Sequence, residues 1–447
     1  MMLAYSALLT LALALSSPWW LLRMATTQRY REGLRQRLGA VPAYLLAAIQ
    51  GKRVLWVHAV SVGEVLAATR LVGELEAALG EEFGVVISTT TRTGQALARE
   101  RFGAERVFYM PLDFAFAVRA YLRALRPVAL ILMENELWPR MLHECSRRNV
   151  PVAVVNARMS DRSFARAMRM QFLWGGVMRE PALWLAQSEE DALRLVVVGV
   201  RTESVRVPGN MKYDIRAPEQ SRIAELIREA AAGRPIVVAG STVASTTRGV
   251  DSEEAQVVYG WMNGALPWGA LLVIAPRHPE RFKEVWEIAF DFPALRATDL
   301  LAGKRRENAI QRTYPDGKSL ETMDIVLLDT IGDLAAVYGI ADVAYVGGSM
   351  MERGGHNPLE PAQFGVPVVM GSSYENFREI VGKMIDANGI RIVKDEVELE
   401  IAFEDLLKNR GDAKVMGERG RQVFEQQQGA TVRTVEALVE MIHGVKP

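Results

Sequence analysis

Residues 128–133, VALILM, and 152–155, VAVV, are continuous apolar runs with no polar alternation. Such runs suit parallel strands covered on both faces, whereas a strand with one wet face alternates. Outward from them, short β-branched runs take turns with longer amphipathic stretches. In the first half the predicted strands are Arg53–His58, Gly84–Thr90, Val128–Met133, Pro151–Asn156 and Leu183–Gln187. Helices are predicted to begin near Glu64, Gly94, Phe114, Leu137 and Glu189. A second cycle follows, with strands Pro235–Gly240, Ala270–Ala275, Ile325–Asp329, Asp342–Gly347, Val366–Met370 and Gly389–Val393. The β-α-β-α order predicts an α/β protein of two doubly wound, Rossmann-like parallel sheets. Asp214 and Pro218 break the pattern and set the boundary near residues 214–220. Such sheets bind ligands at the carboxyl ends of their strands, so two of them face to face predict an interdomain cleft.

The chain has 447 residues, with 53 Lys and Arg against 53 Asp and Glu, so its formal net charge is zero. That balance argues against a general nucleic-acid binder. Hydrophobic residues at 49% are too many for a disordered chain. The single cysteine, Cys145, excludes an intrachain disulfide and a cysteine-clustered zinc or iron–sulfur site. The five histidines are scattered without a pair at helical metal-ligand spacing, so no metal is expected.

Residues 2–22 carry no charge and end on Trp19 and Trp20. At about 1.5 Å per residue they approach the length of a bilayer core. Arg23, Arg29, Arg31, Arg35 and Arg37 follow, and nothing basic precedes the run. A cleavable signal peptide would carry its charge in front. The expectation is a single N-terminal anchor over residues 1–22, with the rest of the chain on the cytoplasmic side. An acceptor-side domain would then span 23–215 and a second domain 216–447.

Polar residues gather where the predicted strands end. WVHAVSVGE (56–64) runs from strand through a small-residue turn to Glu64 in the first turn of a helix. Helix-dipole complementarity alone would favour an acid there and would hold its pKa low. MENELWPR (133–140) places Glu134 and Glu136 after a strand and opens a helix at Trp138-Pro139. In the second half, Gly240-Ser241-Thr242, Pro276-Arg277, Ile331-Gly332-Asp333, Tyr345–Ser349 and Asn357–Glu360 all follow strands. Arg277 offers a planar fork to a phosphate, and helix-start amides another anion site. These converging strand ends read as a nucleotide-diphosphate or nucleotide-monophosphate sugar site, and without their fingerprints the P-loop and dinucleotide readings fall.

In chain order, WVHAVSVGE, MENELWP, VNARMSDRS, QSEEDALR, GNMKYD, APRHPER, TIGDL and GGHNPLEPA resemble the bacterial 3-deoxy-D-manno-octulosonic acid (Kdo) transferases. The resemblance implies a GT-B fold and inverting, metal-independent transfer of Kdo from CMP-Kdo to the 6′-hydroxyl of a lipid A precursor in lipopolysaccharide synthesis. It implies a location on the cytoplasmic face of the bacterial inner membrane, and no cofactor beyond the donor itself. Carried across, Glu64 becomes the general base, and Glu134 and Lys212 stabilise the transition state. Pro276, Arg277, Ile331, Gly332, Asp333, Asn357, Pro358, Leu359 and Glu360 become CMP contacts. Ser241, Thr242 and Asn376 are further donor-sugar candidates. Arg158, Arg162, Arg166 and Arg169 would face acceptor phosphates or membrane lipid. The competing reading on the same fold is a UDP-sugar transferase or epimerase.

Two stretches depart from the family pattern. VASTTRGVDSEE follows Thr242 where the family has a histidine and Gly-Glu-Glu, so Glu253 and Glu254 are expected to be displaced. GSSYENF (371–377) replaces Gly-Pro-His while keeping Asn376 and Phe377.

Overall fold

A computed structural model describes residues 2–26, 32–214, 221–245, 252–289, 292–304, 310–313, 319–322 and 324–444. Arg29 and Arg31, and residues 215–220 of the predicted boundary, lie outside them.

The first sheet contains β1 (Arg53–His58), β2 (Phe83–Thr89), β3 (Val107–Tyr109), β4 (Ala129–Met133), β5 (Val152–Ala157), β6 (Leu183–Ala186) and β7 (Val205–Arg206). Its order is β3-β2-β1-β4-β5-β6-β7, all parallel. The chain winds one way from β1 and then back past it, so β1 and β4 flank the switch point. Both faces are covered, which explains the unbroken apolar runs. Val54 and Trp56 enter one core while Leu55 and Val57 enter the other. Trp56, Phe108 and Tyr121 pack together with ring centroids 4.9–6.0 Å apart. Truncating such a ring to alanine costs about 3–5 kcal/mol.

The second sheet contains β8 (Ile236–Thr242), β9 (Leu271–Pro276), β10 (Ala294–Arg296), β13 (Ile325–Leu327), β14 (Val343–Val346), β15 (Val368–Gly371) and β16 (Ile390–Val393). Between β10 and β13 lies an antiparallel hairpin, β11 (Ile310–Thr313) and β12 (Ser319–Thr322). The order β10-β13-β9-β8-β14-β15-β16 puts the second switch point between β8 and β14.

Compact units comprise Met1–Asp214 with Gly429–Pro447, and Ile215–Gln428. Extending the second domain to residue 447 therefore differs from what is observed. The final helix, Ala430–Gly444, turns Ala430, Val435, Leu438 and Ile442 into the core beside the helix Val62–Leu79. Asp214 fixes this return by accepting the Gly429 and Thr431 N–H groups at 2.7 and 2.5 Å.

The expected anchor is corrected in one respect. Met2–Thr26 is a single helix, but among the described residues no helix is long and apolar enough to cross a membrane. Pro18 interrupts the run and Arg23 closes it. The helix is also tied to the rest of the first unit. Tyr5 donates to Asp113 Oδ2 at 2.8 Å, and Asp113 in turn accepts the Arg140 and Met141 N–H groups.

Candidate active site

At the end of β1, Ser61 caps the helix Val62–Leu79. Its hydroxyl donates to Glu64 Oε1 at 2.8 Å, and the Val60 N–H donates to Oε2 at 2.8 Å. The arrangement is a variant of the capping box: the carboxylate three residues into the helix reaches the hydroxyl of the N-cap and the amide of the residue before it, and the Glu64 N–H returns to Ser61 Oγ at 3.5 Å. Glu64 is only 8% exposed. Burial pushes its pKa up; the Val60 amide, the Ser61 hydroxyl and Lys212 oppose the rise, and Glu134 adds to it. The low pKa expected from the helix start is thus reversed, because desolvation outweighs the local donors. His58, in the same motif, lies fully buried against Ser88, and burial lowers its pKa to about 4. That imidazole is a neutral part of the core.

Glu134 stands one residue past β4 with φ +55°, in the left-handed region. A glutamate there is held against a local cost of about 1–3 kcal/mol, a pattern that clusters at functional sites. The Glu134 N–H bonds the Val155 carbonyl at 2.8 Å, which locks the turn. Its Oε1 accepts from Lys212 Nζ at 2.7 Å. The following acid, Glu136, has its pKa raised by burial and by the charges of Glu64 and Glu134. Three acids and one lysine therefore share a field at the β1/β4 switch point.

Lys212 is presented by a scaffold of amides that the sequence reading did not assign. Asn210 Oδ1 accepts the Lys212 N–H, and Asn210 Nδ2 donates to Gln187 Oε1, both at 3.0 Å. Gln187 Nε2 reaches the Asn156 carbonyl at 2.9 Å, and Asn156 Oδ1 takes the Met211 N–H at 3.1 Å. Each of these three residues lies in a quoted motif, in VNARMSDRS, QSEEDALR and GNMKYD. Their signal is an uncharged amide near the end of a strand or just before a turn: Asn156 is the penultimate residue of β5, Gln187 follows β6, and Asn210 precedes the turn Met211–Tyr213.

In the second unit, the predicted donor residues divide by exposure. Arg277 and Gly332 are exposed, Ile331 is 82% exposed, and Asp333 and Glu360 are partly so. Pro276, Asn357, Pro358 and Leu359 are buried, and Asn357 Oδ1 holds the Leu359 N–H at 3.1 Å to open the single turn Leu359–Ala362. Arg277 stands among ionisable neighbours. Burial, Arg277 and His278 lower the His356 pKa to about 4, while burial raises that of Glu360 against the pull of Arg277. Ser241 and Thr242 are buried, with Ser241 at φ +58°, so neither side chain stands open to a sugar. Asn376 is exposed, and its amide donates to the Arg353 carbonyl at 3.0 Å. Among the described residues no three His, Cys, Asp or Glu side chains gather where they could hold a metal ion.

Two seven-stranded parallel α/β domains, one with acids and a lysine at its switch point and one with glycine-rich turns and an arginine, define a GT-B-type glycosyltransferase. Residues 32–215 match the family described as 3-deoxy-D-manno-octulosonic-acid transferase, and 322–423 match glycosyl transferases group 1. The chain belongs to the Kdo transferase family. It is 32% identical to the 3-deoxy-D-manno-octulosonic acid transferase of Haemophilus influenzae, over 92% of this chain and 91% of that one. Identity to the Bordetella pertussis enzyme of the same name is also 32%, over 91% and 90% of the two chains. A UDP-GlcNAc 2-epimerase from Neisseria meningitidis, solved with UDP-GlcNAc, shares the fold with a TM-score of 0.54. At 11% identity over 87% of this chain and 100% of that one, this likeness concerns the fold alone.

Proposed function

We propose that the protein moves Kdo from CMP-Kdo to the 6′-hydroxyl of a lipid A precursor, inverting the anomeric carbon, in lipopolysaccharide synthesis. Glu64 takes the proton of the acceptor hydroxyl as that oxygen bonds to the anomeric carbon, and the bond to CMP breaks with its electron pair passing to the phosphate. The observation that carries this reading is the buried Glu64 carboxylate with a raised pKa, beside the Lys212–Glu134 pair. Each of its oxygens already accepts one bond, and an ionised carboxylate oxygen has a second lone pair free for the hydroxyl. Lys212, positioned by its amide scaffold and by Glu134, meets the negative charge of the Kdo carboxylate or the departing phosphate. Arg277 and the amides near Gly354–Glu360 take the phosphate monoester, so no metal or cofactor is required.

A lipid acceptor is supported by a mainly apolar groove of ≈ 240 Å³ between the N-terminal helix and the rest of the first unit, where Leu9, Leu112, Phe114 and Trp138 outweigh the polar Ser16 and Asp113. Further support comes from the helix Asp161–Arg169, where Arg162, Arg166 and Arg169 are exposed together with Met168. Basic and apolar residues on one exposed helix suit an anionic lipid surface. The enzyme would work at the cytoplasmic membrane face, held by these elements without crossing it.

The test is incubation of the full chain with CMP-Kdo and a lipid A precursor, read by product mass. Addition of whole Kdo residues is expected. A folded protein that transfers Kdo to no lipid acceptor, or that uses UDP-sugars instead, would overturn the reading.

A further inference from the structure

Glu253 was expected to be displaced by the insertion after Thr242, yet it is fully buried and reaches five donors. Its Oε2 accepts the Val243 N–H at 3.0 Å and the Gly348 N–H at 2.7 Å. Its Oε1 accepts the Ser349 N–H at 3.0 Å, the Met350 N–H at 3.2 Å and the Tyr345 hydroxyl at 2.7 Å. Every one of these groups donates, so the carboxyl is received as an anion, with amides and a phenol in place of a cation. The neighbouring Glu254 makes the contrast, since it forms a two-pronged pair with Arg281.

Gly347–Met350 follows β14 at the second switch point, where successive backbone N–H groups turned inward form a concavity that in other proteins takes a phosphate. Here the loop lies so close to β8 that a Cβ on Gly347 would meet the Ser241 carbonyl oxygen at 2.6 Å. Ser349 Oγ also accepts the Gly371 N–H at 2.8 Å, joining the same loop to the end of β15. Three strand ends are therefore set by one carboxylate and its amide ring.

We propose that Glu253 is a positioning residue: a built-in anion that fills the amide nest after β14, fixes the β8 and β14 loops, and leaves the donor's phosphate to Arg277 and the second glycine-rich turn, Gly354–Glu360. This rests on the reading of the second unit as the CMP-Kdo side. The nest would bind a small carboxylate if its own were removed.

The experiment compares wild type, Glu253→Ala and Glu253→Gln with and without about 0.1 M formate. Thermal midpoint, CMP binding by calorimetry and donor KM are the readouts. Glu253→Ala is expected to lower the midpoint and raise the donor KM at least tenfold with kcat changed less than threefold. Formate should restore most of both losses while leaving wild type unmoved. Glu253→Gln, which keeps the shape but faces amides with an NH2, should lose three- to tenfold in CMP affinity without formate rescue. It carries the test if the alanine variant does not fold. Wild-type CMP affinity in the glutamine variant, or a folded alanine variant indifferent to formate, overturns the proposal. Formate recovery of the midpoint in a protein whose wild type ignores CMP would leave the nest standing and sink the donor assignment.

Discussion

At the carboxyl ends of β1 and β4 stand a nearly buried Glu64 and two partly exposed charges, Glu134 and Lys212. At the corresponding ends of β8 and β14 stand glycines, serines and a carboxylate with no exposure at all. One winding of the chain thus yields two environments. In the first, acids are raised in pKa by burial and by each other, which suits a group that must take up a proton. In the second, burial raises the pKa of Glu253 as well, but five donors oppose the rise and occupy both of its oxygens, and the groups left facing solvent are an arginine and small turns. The lesson is that a switch point supplies only a location. Its chemistry depends on whether the local carboxylate keeps a lone pair free.

The comparison breaks most visibly at Glu64. Glu64→Gln keeps the side chain's shape, with its oxygen on the Val60 N–H and the rotatable Ser61 hydroxyl turned to accept from its NH2, but removes the base, and turnover should fall about 10³-fold with CMP affinity unchanged. More than a tenth of wild-type activity would contradict the assignment. Lys212→Met should cost about 10²-fold in kcat, as expected for a charge felt mainly in the transition state. Loss confined to KM would instead make Lys212 a binding group. In the other domain the split should invert. Arg277→Ala is expected to raise the donor KM about tenfold, equivalent to about 1.4 kcal/mol, with a smaller change in kcat.

The smallest effect is also the sharpest. Glu64 must be ionised to act, and its pKa is raised, so kcat/KM should fall away on the acid side above the ordinary glutamate value of about 4.3. Glu134→Gln removes a negative neighbour and should move that acid limb to lower pH. Lys212→Met removes a positive one and should move it higher. A limb that shifts the same way in both variants would separate these three residues.

Most of the fold was legible because buried parallel strands write continuous apolar runs. The predicted and observed strands agree within two residues from β1 through β16, wherever a strand has four residues or more in the two large sheets. Val107–Tyr109, Val205–Arg206 and Ala294–Arg296 were missed because two or three residues do not establish a period, whereas the equally short Ile325–Leu327 was read because its apolar run continues through Leu328. Glu64, Glu134 and Lys212 were legible as a family pattern, and the structure brings them into one field. The amide scaffold of Asn156, Gln187 and Asn210 was not, since its bonds join residues far apart in sequence. The direction of the Glu64 pKa was misjudged because the helix start is visible in sequence and the depth of burial is not. Glu253 escaped for a different reason: an insertion changes spacing along the chain without changing where a helix end returns in space.

Because the chain leaves the first unit at Asp214 and re-enters it at Gly429, the second domain is a guest spliced into its host. Splitting the coding sequence at the pattern break would strip the host of its closing helix. Val65, Leu71, Val72 and Leu75 would then lose Leu438 and Ile442 as cover, baring a greasy furrow that invites aggregation. Residues 215–428 would come away with every strand of their own sheet. Anyone producing the pieces separately should graft the tail back onto the front half through a short linker.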